Sequence, residues 1–257
     1  MDIKNKNIIL TGASSGIGKE LLKLLSVYEG TKIVAVARHI NSIPKIDNII
    51  YPFAADVSTP DGIDSVFEYA TKTTGETDIF IANAGFAYLE KLKSADWEHI
   101  ENIYSLNVYS PIYSLEKMIN DGNKTKMFVS TISGAGLVSL PGYSLYCSTK
   151  AALHFFMETY RYECNKNLKI MSVYPVATRT EFFDKASKTE DTPLPWPVQE
   201  PITVAKAIIK GIRKNKKEVY PSIIFRIFFP IGRALPFLFR LYSLNEKRKV
   251  KKWMDGQ

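Results

Sequence analysis

The sequence predicts an α/β fold, a parallel sheet doubly wound with helices on both faces. Three observations carry that prediction. Short apolar runs alternate with amphipathic stretches along most of the 257 residues. Several runs are apolar at consecutive positions, as strands buried on both faces must be. The spacing between runs suits a strand, a crossover helix and a second parallel strand.

The elements follow in order. "NIILT" (7–11) reads as the first strand, followed by a helical pattern from Gly16 to Val27. "KIVAVA" (32–37) and "IIYPFAA" (49–55) are the next two strands. Thr59-Pro60-Asp61 opens a helix with a capping hydroxyl and a proline in the first turn. "DIFIAN" (78–83) is a strand, and Trp97 to about Asn120 reads as one long helix. "KMFVST" (126–131), a helix from about Tyr143 to Cys164, and "LKIMSVYP" (168–175) complete the series. Residues 181–201 break the rhythm with four prolines and several polar residues, which predicts a loop or lid. The expected organisation is one catalytic domain over residues 1–220 and an apolar, basic extension over 221–257.

A chain of 257 residues with 46% hydrophobic composition can bury one sizeable core. Cys147 and Cys164 give neither a disulfide framework nor a metal-ligand spacing, so a reducing compartment is expected. His39, His99 and His154 form no cluster in sequence, and no metal is expected. The N-terminal residues run straight into a strand, so no secretory signal is expected. Charge is uneven. Residues 205–257 carry fourteen Lys/Arg against three Asp/Glu, a net of +11, while the remainder carries 20 against 23, a net of −3. The basic tail points to an anionic partner.

Two motifs carry chemistry. In "ILTGASSGIG", Gly12, Gly16 and Gly18 lie between the first strand and the first helix. That is a cradle for a pyrophosphate: a tight turn at Gly12, close ligand approach at Gly16, and close helix packing at Gly18. In "SLYCSTKAAL", Tyr146 and Lys150 are four residues apart and share a helical face. A nearby ammonium favours phenolate and is expected to lower the tyrosine pKa, making it a usable acid–base. Ser133, in "STISGAG", is placed to give a second hydrogen bond to a substrate oxygen. Tyr143 is expected to line the pocket or pack. Cys147 is either a reactive thiol or, as free cysteines usually are, a small buried filler.

"TGASSGIG", "NAG" at Asn83–Gly85 and Tyr146-x-x-x-Lys150, in this order, resemble the short-chain dehydrogenase/reductase family over residues 7 to about 220. The resemblance implies a Rossmann-type fold and a nicotinamide-dependent exchange between a carbonyl and an alcohol. It implies Tyr146 as proton donor or acceptor, and Lys150 as the group that tunes it and holds the nicotinamide ribose. Ser133 polarises the carbonyl, and Asn107 supports a proton-relay water. It further implies cofactor contacts by Ser14, Ser15, Ile17, Asp56, Val57, Asn83, Ala84 and Gly85. Pro175, Thr178 and Thr180 fall in the segment that caps the nicotinamide. Val176 stands where the family usually has glycine. Dimers or tetramers through the helix carrying Tyr146 are common in the family, and a homo-oligomer is expected.

The second strand ends Ala37-Arg38-His39, without the acid that would bind a ribose 2′-OH. Arg38 can pair with a 2′-phosphate, so NADP(H) is the expected cofactor and NAD(H) the alternative. Against this, Ser15 stands where NADP-dependent relatives often have a second basic residue. Phe182, Phe183, Leu194 and Trp196 either form an apolar substrate pocket or pack the lid on the body. The expected substrate is a small apolar carbonyl or alcohol. In the tail, Arg226, Arg233 and Arg240 recur every seven residues among Phe, Ile and Leu. No uncharged run is long enough to span a bilayer. The tail reads as lying on an anionic membrane surface, with a dimerising or pocket-covering lobe as the competing reading. Nucleic acid is not an expected partner, and the expected location is cytoplasmic, peripheral at the inner face of a membrane. A non-catalytic nucleotide sensor or membrane scaffold is the alternative function. The complete Tyr146, Lys150, Ser133 and Asn107 set speaks against it.

Overall fold

The computed structural model describes residues 1–92, 94–119, 124–187 and 192–255. The chain runs β1 (Asn7–Thr11), α1 (Gly16–Leu25), β2 (Lys32–Ala37), β3 (Ile50–Ala54), α2 (Pro60–Thr73) and β4 (Ile79–Ala82). Next come α3 (Trp97–Tyr104), a π-helical turn (Ser105–Tyr109), α4 (Ser110–Met118), β5 (Lys126–Thr131) and a 3₁₀ turn (Gly134–Gly136). The remainder is α5 (Ser144–Glu163), β6 (Leu168–Val173), β7 (Ala177–Thr178), α6 (Phe182–Ser187), β8 (Val198–Gln199), α7 (Pro201–Arg213), β9 (Glu218–Val219), α8 (Ile223–Ala234) and α9 (Phe237–Asp255).

Seven strands form one parallel sheet in the order β3-β2-β1-β4-β5-β6-β9. Alternate residues of each strand serve opposite layers, as the two-residue period requires. Ile8, Leu10, Ile33 and Ala35 pack with Leu21, Leu25, Ile208 and Ile212 of α1 and α7. Ile9, Val34, Phe80 and Phe128 pack with Val66, Leu115, Leu153 and Met157 of α2, α4 and α5. Pro52 sits in β3, the edge strand, where a missing N–H costs no ladder bond. Strand order reverses direction between β1 and β4, so a crevice opens beyond their carboxyl ends.

The structure departs from the sequence reading in three places. The predicted helix from Trp97 is interrupted by the π turn carrying Asn107. Its predicted end at Asn120 lies outside the described residues. Residues 181–201 are not all loop: α6 buries Phe183 and Ala186, and β8 pairs with β7. Residues 188–191 of that segment are outside the described residues. Helix α7, which the sequence reading did not single out, buries Val204, Ile208 and Ile212.

Candidate active site

The glycine loop forms where β1 turns into α1. Gly12 has φ +67°, a backbone conformation that L side chains rarely adopt. A Cβ on Gly18 would overlap the Gly12 carbonyl oxygen, so α1 approaches the loop this closely only with glycine there. Thr11 holds the loop from beneath. Its Oγ1 accepts from the Asn83 and Ala84 N–H groups, each at 3.1 Å, and donates to the Ile81 carbonyl at 3.3 Å. Asn83 Nδ2 donates to the Thr11 and Gly12 carbonyls at 3.2 and 3.3 Å. Asn83 is therefore the latch between β4 and the loop. Thr11, which the sequence reading missed, is its counterpart; its signal is a hydroxyl ending the strand that feeds the loop.

Ser15 is the N-cap residue of α1, yet its side chain makes no capping hydrogen bond and the first helical turn carries no acid. The first N–H groups of α1 thus remain available to an anion. With the space that a Cβ at Gly12, Gly16 or Gly18 would take, this fits a bound pyrophosphate.

The second cluster lies at the ends of β5 and α5. Ser133 has φ 137° and ψ 154°, strained for a residue with a side chain. The Gly134 N–H donates to the Pro175 carbonyl at 2.8 Å, and Ser133 Oγ donates to the same oxygen at 3.4 Å. Ser133 Oγ also accepts from the Ala135 N–H at 3.1 Å, and its hydroxyl is near enough to the Tyr146 phenol to favour the phenolate. The strain thus holds a hydroxyl beside the phenol. One turn on from Tyr146, Lys150 Nζ lies 5.7 Å from its ring centroid and donates to the Thr131 carbonyl at 3.1 Å.

Asn107 is buried in the π turn, where such irregularities often mark function. Its Oδ1 accepts from the Phe86 N–H at 3.1 Å, and its Nδ2 donates to the Phe86 carbonyl and to Thr149 Oγ1 at 2.9 and 3.1 Å. Thr149 in turn donates to the Tyr146 carbonyl at 2.8 Å. Asn107 therefore ties the segment after β4 to the start of α5.

Electrostatics depart from the expected pattern. Burial pushes the Tyr146 phenol above its ordinary value, with the Ser133 hydrogen bond opposing the rise. The same burial lowers Lys150 to about 8. The expected lowering of Tyr146 does not occur: desolvation prevails, and the phenol is held in its neutral form. Cys147 is packed beside Tyr143 and Phe183, and burial raises its thiol, which suits a filler and not a nucleophile.

A single cavity of about 880 Å³ joins the two clusters. Gly12, Ser14, Ser15, Gly16, Ile17, Arg38, Asp56, Val57, Ala84 and Gly85 line one part; Ser133, Tyr146, Lys150, Pro175, Thr178 and Thr180 line the other, and Asn83 also borders it. Gly18 and Asn107 are not in the lining; the one sets the loop's packing, the other braces α5. Arg38 and Asp56 are exposed at the rim. Burial works to raise the Asp56 carboxyl, but hydrogen bonds from Ser58 and the Arg38 charge prevail and lower it. Thr180 Oγ1 accepts from the Phe182 N–H at 3.3 Å, at the start of α6. Among the described residues no cluster of His, Cys, Asp or Glu suits a metal ion.

The short chain dehydrogenase family matches residues 6–191 of this chain. An uncharacterized oxidoreductase of Staphylococcus saprophyticus is 30% identical over 242 residues, covering 88% of this chain and 97% of that protein. A short-chain dehydrogenase of Sphingobium yanoikuyae, solved with NADPH, superposes with a TM-score of 0.74 at 23% identity, covering 90% of this chain and 94% of the other. A short-chain dehydrogenase/reductase of Burkholderia phymatum, solved with NAD, gives 0.77 at 16% identity, covering 93% and 96%. At these identities the two structures establish the shared fold.

Proposed function

The chain belongs to the short-chain dehydrogenase/reductase family of NAD(P)-dependent oxidoreductases, and from that premise we propose that it interconverts a ketone or aldehyde and its alcohol on an apolar substrate, with NADP(H) as cofactor. The observation that carries this reading is the continuity of the cavity from the glycine loop to Tyr146, Lys150 and Ser133. The glycine loop, the free N–H groups of α1 and Arg38 would hold the dinucleotide, and Lys150 its nicotinamide ribose. When bound, the nicotinamide supplies or accepts the hydride.

The side chains do the rest. Ser133 donates a hydrogen bond to the carbonyl oxygen and fixes it beside Tyr146. Tyr146, kept protonated by burial, gives its proton to that oxygen as negative charge develops there. Lys150 stabilises the phenolate left behind, and Asn107 keeps α5 in register and supports reprotonation by a water. In the reverse direction the same phenol must first lose its proton. Reductive kcat/KM is therefore expected to stay level from neutral pH to about 8 and to fall above it, as the Lys150 ammonium deprotonates. A pH–rate profile checks this; a rate that climbs through that range contradicts it.

The preference for NADP(H) rests on Arg38 at the rim and on the absence of an acid at the end of β2. Arg38→Ala is expected to weaken NADPH binding roughly tenfold, as loss of a charge-assisted contact should, with NADH little changed. Fluorescence titration with both cofactors checks it; equal losses would favour NAD(H).

Apolar substrate is supported by Phe182, Phe183, Trp196 and Phe228 around the part of the cavity beyond Tyr146. NADPH oxidation with ketones of increasing chain length tests this. Two partner readings accompany the activity. Self-association through α5 is supported by the exposed Phe155 and Tyr162. Peripheral contact of residues 221–257 with an anionic membrane is supported by the exposed aliphatics and arginines of α8 and α9. No helix among the described residues is long and apolar enough to cross a membrane.

A further inference from the structure

Helices α8 and α9 have two different faces. The inner face is aromatic: Phe225 and Phe229 stack 5.6 Å apart, Phe229 and Phe239 at 6.0 Å, and Phe228 meets Tyr242 at 6.1 Å. A Cβ on Gly232 would overlap the Phe239 ring, so the two helices cross in close contact. Ser243 Oγ donates to the Ser139 carbonyl at 2.9 Å, and Val250 packs with Leu89, Tyr143 and Phe183. The hairpin is thus fixed to the body beside the site.

The outer face is aliphatic and exposed. Ile223, Ile227 and Ile231 recur at four-residue spacing on α8, and Phe237, Leu241 and Leu244 share one side of α9. Ile227 is 58% exposed and Leu241 57%. Arg226, Arg240 and the cluster Lys247, Arg248, Lys251 and Lys252 are exposed alongside, while Arg233, also exposed, lies over the inner-face Phe229 ring at 6.0 Å. The two described acids of the hairpin are not free to balance them. Glu246 is buried and bound to Lys249 at 2.6 Å, and Asp255 lies 4.0 Å from Lys91. Pairing this face with its copy would set cation against cation. An anionic lipid surface complements both its charge and its apolar side chains.

The hairpin also walls the cavity. Ile224, Phe225, Phe228 and Tyr242 line it, together with Trp196 from the segment after α6. Ile224 and Trp196 are also 47% and 50% exposed, so the wall that the hairpin and this segment share reaches the surface at an apolar seam. Tyr242 Oη donates to the Trp196 carbonyl at 2.6 Å across that seam. The lining is also exposed at Arg38, His39 and Asp56, in the cofactor part, and at Glu181 and Lys185 beside the start of α6, where the exposed groups are charged and not apolar.

We propose that the outer face of α8 and α9 seats on an anionic bilayer with the Ile224–Trp196 seam at the lipid, so that a membrane-dissolved ketone enters the cavity directly from the bilayer. The proposal rests on the carbonyl-reductase reading for its substrate, not for its docking.

The test uses the full chain and vesicles of phosphatidylcholine with and without phosphatidylglycerol. The protein is expected to float with phosphatidylglycerol-containing vesicles and to be released as salt is raised. Brominated phosphatidylcholine should quench tryptophan emission, and Trp196→Phe should remove most of that quenching. The exposed-position pairs I227D/L241D and I227Q/L241Q should both lower vesicle binding by at least about tenfold, since each removes two apolar side chains from the lipid. NADPH binding should be kept by both, which reports an intact fold. With vesicles present, turnover of 2-pentadecanone should rise in wild type and not in I227D/L241D, with cyclohexanone unaffected.

Equal recovery in the soluble fraction overturns the proposal. So does vesicle binding without Trp196 quenching, which would place the seam away from lipid. So does a lipid-free dimer, seen by sedimentation, that I227D/L241D dissociates. Unchanged 2-pentadecanone turnover in vesicles, with cyclohexanone reduced, overturns the entry route. If neither ketone is reduced, the reductase reading fails while quenching still decides the docking. Tyr146→Phe should bind vesicles as wild type does.

Discussion

Tyr146→Phe is expected to lower kcat for ketone reduction by about 10²–10⁴-fold, the usual worth of a positioned general acid. NADPH binding should change little. The substitution removes one oxygen and leaves the ring, which packs edge-on against Phe182 at 5.6 Å. Ser133 and Lys150 stay in place, so the carbonyl is still held but receives no proton. The loss should therefore fall on kcat and kcat/KM together. Initial rates at saturating NADPH, with a fluorescence titration of cofactor affinity, separate chemistry from binding. A Tyr146→Phe protein as active as wild type would assign the proton to another group. A wild type that binds NADPH and reduces no ketone would favour the non-catalytic sensor.

Gly18→Ala is the second large effect, and it should fall on binding. The added methyl would overlap the Gly12 carbonyl and crowd Asn83 Nδ2 at 2.8 Å. Backbone must shift, because neither contact is the end of a long flexible side chain. Overpacking of this kind typically costs about 1–3 kcal/mol. Relief can come only by pushing α1 away from the loop or by breaking the Asn83 latch, and either displaces the N–H groups offered to the pyrophosphate. NADPH affinity is expected to fall by at least about tenfold, with a lowered thermal midpoint. Fluorescence titration and a thermal melt check both. Unchanged affinity would mean that the loop does not hold the dinucleotide.

Much of this was legible in the sequence because parallel strands advertise themselves. Runs such as "KIVAVA" are apolar on both faces, which marks strands covered on both sides; the register of β2 against β1 and β3 is set by the tertiary pairing, because a run without alternation carries no register signal. The glycine loop and the Tyr146–Lys150 pair were legible because each needs particular residues at fixed spacing. Other features depend on tertiary contacts that no local pattern reports. The π turn at Asn107 leaves the apolar pattern of α3 and α4 intact while changing where one side chain lands. α6 hides among prolines, and its reason to exist is the cluster of Phe183, Tyr143 and Val250, three segments distant in sequence. The amphipathic pattern of the tail left a membrane-lying segment and a pocket-covering or dimerising lobe as competing readings; only the fold shows that its inner half walls the cavity. The pKa of Tyr146 is the sharpest case. Spacing places a cation one turn away, which favours the phenolate; only the fold reveals that burial opposes it and prevails.

The most direct measurement of the central claim is a crystal structure of the protein with NADPH. The account predicts density for the pyrophosphate on the glycine loop at the start of α1, the adenosine end near Arg38, and the nicotinamide between Tyr146 and Pro175, with Lys150 on its ribose. A dinucleotide bound elsewhere, or a Tyr146 hydroxyl turned out of the cavity while the cofactor is bound, would contradict it.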